Sequence, residues 1–138
     1  MENFFLLRDK DDELPCSLIC VESPQILLAS AILLINNREE RPSSTLFYAC
    51  SFENCQTFGV SLWAYAYEEC DDLWKERHLR FKEDPSFFPF LLDVRTSSGF
   101  IFLGLRLGLK YFLCKKELEI FTKLQTLVRN EGGELYGI

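Results

Sequence analysis

A chain of 138 residues is long enough for one hydrophobic core and too short for two, so a single domain over 1–138 is expected. Apolar residues make up 48% and charged residues 26%, which excludes disorder over most of the length. The net charge of -6 excludes nucleic acid or a membrane surface as partner unless a local basic patch exists. The basic groupings are weak: Lys115-Lys116, and Arg77, His78, Arg80 and Lys82 among flanking acids.

The chain opens with Glu2 where a secretory leader needs base, and its longest apolar run, Ile26 to Ile35, is about half a membrane span. A cytoplasmic protein is therefore expected, with its six Cys more readily free thiols than a disulfide framework. Residues 3–8 and 16–21 read as two strands of a hairpin around the polar turn Asp9 to Glu13. Ser23-Pro24 is a helix start, because Ser caps free amides and Pro at the first position loses no hydrogen bond. A helix over 24–36 is expected, with a buried strand as its competitor, since a solid apolar run has no period. Arg38 to Ser44 reads as a loop.

Residues 45–52 read as a strand, 51–54 as a turn, and Cys55 to Tyr67 as its partner strand, because Phe58, Val60, Leu62, Ala64 and Ala66 alternate with Gly, Ser and aromatics. From Glu68 the period changes, and a helix over 68–79 would place its acids in the first turn, where the dipole favours them. Lys82 to Ser86 reads as a loop. Phe88, Phe90, Leu92 and Val94 alternate, Thr96 to Gly99 looks like a hairpin connection, and Gly99 to Cys114 looks like a long return strand. Gly104 and Gly108 would mark a bend, a bulge or a close approach on it. Leu118, Phe121, Leu124, Leu127 and Val128 recur at helical spacing before Gly132-Gly133, and Leu135 to Ile138 could add a short edge strand. The fold class expected is α+β: a mostly antiparallel sheet of about five to six strands, packed by the C-terminal amphipathic helix and one or two further helices.

The catalytic inventory is thin. There is one histidine, His78, and no Gly-rich phosphate loop, Cys-x-x-Cys or Gly-x-Ser-x-Gly. Cys70 and His78 would stand about 12 Å apart on a helix, too far for a nucleophile and its base. Cys50 and Cys55 could face each other across a turn, paired or free, and with Cys16 and Cys20 they approach zinc spacing; buried thiols are the preferred reading. No catalytic residue, metal or cofactor is expected, nor a small-molecule ligand.

The most suggestive feature is the acidic cluster Glu68, Glu69, Asp71 and Asp72 beside Trp74, with Trp63, Tyr65 and Tyr67 just before it. Acids next to aromatics suit a surface for a basic protein. The run Tyr67-Glu-Glu-Cys-Asp-Asp-Leu-Trp74 resembles the acidic, aromatic Leu-Trp helix with which the barstar family of ribonuclease inhibitors meets a basic nuclease, and Phe90-Leu-Leu-Asp-Val94 and the closing helix follow in similar order. The likeness is local. The long stretch 100–113 and the wide gap between Trp74 and Phe90 depart from that pattern, and the chain is not assigned to the family. The function expected is a non-enzymatic inhibitor of the immunity or antitoxin type, occluding a basic toxin or effector, for example a nuclease. The alternatives are a small acidic secretion or folding chaperone, and a small enzyme using carboxylates or a Cys.

Overall fold

The computed structural model describes residues 3–4, 17–37, 46–77 and 89–138. Along the chain these form β1 (Asn3–Phe4), β2 (Ser17–Cys20), α1 (Pro24–Asn37), β3 (Leu46–Cys50), α2 (Phe52–Phe58), α3 (Val60–Arg77), β4 (Phe90–Arg95), α4 (Ser98–Arg106), β5 (Tyr111–Cys114), α5 (Phe121–Asn130) and β6 (Glu134–Gly137). The expectations for the turn at 9–13, Cys16, the loops at 38–44 and 82–86, and His78 lie outside the described residues.

The antiparallel sheet expected from the sequence is overturned. Strands β2 to β6 pair in parallel and in chain order, and only the stub β1 adds antiparallel, with Asn3 opposite Cys20. The fold is α/β, with five helices among the described residues. The physical cause lies in the strand sequences. Leu46–Cys50 and Tyr111–Cys114 are solid apolar runs and Phe90–Val94 is apolar except for Asp93, as befits strands buried on both faces. Parallel neighbours also need a crossover, which a helix supplies.

The expected strand over 55–67 is helical, and the one over 99–114 is strand only at Tyr111–Cys114. Cys55 to Tyr67 alternates, but the same residues carry the helical spacing 60, 63, 67, 70, 74. The helical period wins because Ser51 starts α2 rather than a turn: its Oγ accepts the Asn54 N–H at 3.2 Å. Gly59, at φ 85°, then joins α2 to α3. The helix expected over 68–79 is the second half of α3, which starts at Val60. The expected return strand 99–114 divides in the same way. Ser97 caps α4, accepting the Phe100 N–H at 3.4 Å, so Thr96–Gly99 is a helix start and not a hairpin. Gly108, at φ 94°, ends the helix. The Gly108 N–H donates to Leu105 O and the Leu109 N–H to Gly104 O, the pairing of a Schellman motif. Gly104 is the close approach foreseen, on a helix instead of a strand: a Cβ there would lie 2.6 Å from Phe112 Cε1, so α4 rests on β5 through bare backbone.

Other expectations hold. The helix over 24–36 is α1, capped by Ser23 Oγ accepting the Ile26 N–H at 3.2 Å. The closing helix is α5, ended by Gly132 at φ 87° with the same Schellman pairing, and the edge strand is β6.

The buried residues of all five helices fall in one cluster with the inward side chains of the strands, among them Ile19, Tyr48, Leu92 and Leu135. The opposite face carries Leu18, Phe47, Ala49, Leu91 and Leu113, and no described helix contributes to it. Repeating one hand of crossover in sequential order lays every connection on the same side of the sheet.

Candidate functional site

The α3 helix separates into two stripes. Val60, Trp63, Cys70 and Trp74 are buried, with Tyr67 partly so, at intervals of three and four. Trp63 and Tyr67, one turn apart, both stack on Phe90, with centroids 5.5 and 5.6 Å away. The Trp63 Nε1–H donates to Asn54 O at 3.0 Å, and the Cys70 S–H donates to Leu27 O of α1 at 3.7 Å. These contacts fix the rotation of α3 and so decide which residues face out.

The outward stripe is Leu62, Tyr65, Glu69, Asp72 and Glu76, with Glu68 beside it. Leu62 is 42% exposed and Tyr65 63%. Of the five residues singled out in the sequence, Glu68, Glu69 and Asp72 stand together on this face. Asp71 is on its flank, paired with Lys75 Nζ at 2.9 Å. Trp74 is 2% exposed and belongs to the core, so it holds the helix in place and does not present its ring. The exposed aromatic is Tyr65, which the sequence marked only as a neighbour.

The start of α3 at Val60 changes what the acids mean. As the first turn of a helix they would be stabilised by the dipole. In the structure Glu68, Glu69, Asp71 and Asp72 lie in the middle of an 18-residue helix, beyond the reach of the favourable first-turn dipole, and only Glu76 stands in the last turn, where the dipole opposes negative charge. Glu68 and Asp72, and Asp72 and Glu76, are four apart, and Glu69 and Asp72 three apart. Each such like-charge pair opposes the helix by a few tenths of a kcal/mol, roughly 0.2–0.5. Among the described residues no ion pair reaches Glu68, Glu69, Asp72 or Glu76.

The five described cysteines are free thiols, four of them buried. Cys50 and Cys55 occupy the positions before the cap and at the fourth residue of α2, where a hydrophobic staple closes a helix start. Both are buried free thiols, and burial pushes the Cys50 thiol well up, with Cys55 beside it adding to the shift. Burial likewise pushes Cys70 up to about 12 and Cys20 and Cys114 to about 11, which makes them poor nucleophiles. Among the described residues no group of three or more His, Cys, Asp or Glu is placed to hold a metal ion, and no helix is long and apolar enough to cross a membrane.

One polar residue that the sequence reading passed over is Asp93, a lone acid in an apolar strand. It is 1% exposed at the carboxyl end of β4. Its Oδ1 accepts the Arg95 N–H at 3.2 Å, and Arg95 Nε lies 3.5 Å from Oδ2, an ion pair without a hydrogen bond. Burial raises its pKa above the usual carboxylate range, against the pull of Arg95 and Lys115. The only sequence signal was an acid where every neighbour is apolar.

No family model, curated protein or solved structure matches this chain.

Proposed function

We propose that this protein works by binding a basic protein partner through the outer face of α3. Its most concrete form is an immunity- or antitoxin-type inhibitor that covers the cationic working surface of a toxin, such as a nuclease. The observation that carries this reading is the position of the acids. Glu68, Glu69, Asp72 and Glu76 repel one another beyond the first turn, where the dipole no longer favours them, a local arrangement that costs stability and that no ion pair among the described residues offsets. A basic partner removes that repulsion on docking. The stripe from Leu62 to Glu76 is about 21 Å long at the helical rise, enough to span the centre of a protein interface. Its Leu62–Tyr65 end offers apolar contact and its Glu69–Glu76 end offers charge, the mixture found at energetic hot spots. The net charge of -6 would steer the encounter at low salt.

The test is capture from the protein's own source by the wild-type chain and by Glu69→Lys with Asp72→Lys, at low and moderate salt, with the bound protein identified. A single basic partner held by the wild type should bind the double variant at least about 100-fold more weakly, two charge reversals being worth a few kcal/mol. The variant should unfold no earlier than the wild type. A partner that both chains hold equally would remove α3 from the interface.

A further inference from the structure

At the carboxyl end of β4 four observations meet on one arginine. Arg95 is the one non-glycine residue with positive φ among those described, at 54°, a conformation that costs energy unless its surroundings hold it. The pairing with β5 slips between Asp93 and Arg95. The backbone of Arg95 is pinned on both sides: its N–H donates to Asp93 Oδ1, and its carbonyl accepts the Lys115 N–H at 2.9 Å. Its side chain, 48% exposed, runs from the buried carboxylate to the ring of Phe52 on α2, with the guanidinium carbon 5.9 Å from the ring centroid. Phe52 in turn lies 6.2 Å from Phe100 on α4.

We propose that Asp93 and Arg95 form a proton-gated latch, in which ionised Asp93 holds the guanidinium across the strand end against Phe52, and protonated Asp93 releases it to solvent. The backbone pins survive protonation, because a neutral carboxyl still accepts through one oxygen and the Lys115 bond does not involve Asp93. The side chain alone loses its anchor. What remains is the contact with Phe52, weak at an exposed site.

The groups facing Asp93 among the described residues leave it as the one that switches. Arg95 from β4 and Lys115 beyond β5 are the cations that pull its pKa down. The thiols of Cys50 at the end of β3 and Cys114 of β5 stay neutral, both being raised by burial. Desolvation outweighs the two cations at Asp93, so its proton arrives at a pH above the ordinary aspartate range.

The test follows the arginine Nε–Hε and aspartate carboxyl resonances of the isotopically labelled full chain from about pH 8 to about pH 4, a window between the ordinary thiol and carboxylate ranges. The Arg95 Nε–Hε resonance should move with the same midpoint as the Asp93 carboxyl, and that midpoint should lie above those of the exposed carboxylates. In Asp93→Asn it should sit at the acid-limit position throughout. An Arg95 resonance that stays still while Asp93 titrates, or an Asp93 midpoint no higher than that of Asp72, overturns the latch. The wild-type titration decides the matter even if the variant folds poorly.

Discussion

Asp72 and Asp93 carry the same side chain and meet opposite surroundings. Asp72 stands on the outer face of α3, in water, with Glu68, Glu69 and Glu76 about one turn away. Asp93 is almost wholly buried at a strand end, with one guanidinium beside it. The first arrangement is weakly unfavourable and screened by salt; the second sets a larger burial cost against the pull of Arg95 and Lys115 and is screened less. The protein thus keeps its dispersed strain on the surface, where another macromolecule can relieve it, and its concentrated strain inside, where a proton can.

Four changes separate these environments, the largest first. Trp74→Ala should lower stability by about 3–5 kcal/mol in a denaturant melt, since it empties a buried site in the core. A loss no bigger than that of an exposed residue would mean that α3 is rotated from the orientation described. Asp93→Asn should instead raise stability at neutral pH by about 1 kcal/mol, because it removes a buried charge while half-exposed Arg95 remains solvated. The sign with pH follows from linkage. The folded-state pKa lies above the unfolded value, so the ionised group opposes folding at neutral pH, and the opposition fades as pH falls through the folded-state value. The gain from Asp93→Asn should accordingly shrink on mild acidification. Glu69→Gln with Asp72→Asn should stabilise by roughly 0.5 kcal/mol, and that gain should vanish at about 1 M salt. Asp71→Asn should move the other way by a few tenths of a kcal/mol, about the worth of its exposed pair with Lys75.

How far the residues announced the fold depended on whether caps or periods were decisive. Ser23-Pro24 and Gly132-Gly133 bracket helices whose apolar spacing agrees with the caps, and both were legible. Ser51, Ser97 and Gly108 carry the same signals, but the chain between them alternates, and alternation was given more weight than the caps. The stretch Val60–Tyr67 satisfies both periods at once, because small and aromatic residues share it; only the contacts of Trp63 with Asn54 and Phe90 choose between them. Parallel pairing had a visible trace in the apolar runs of β3 and β5, unbroken by polar residues, which an antiparallel sheet with one wet face would not carry. The acidic cluster was legible as a group. Its meaning was not, since that depends on a helix start eight residues earlier, and Tyr65 was hidden as its aromatic by the strand reading.

Each described strand from β3 to β6 pairs with the one made just before it. No strand waits for a partner from later in the chain, so the sheet can extend one helix-and-strand unit at a time as the polypeptide leaves the ribosome. The two edges of the sheet are also its oldest and newest parts. During synthesis the exposed edge always belongs to the strand most recently added, and the following unit covers it within seconds, at a translation rate of about 5–20 residues per second.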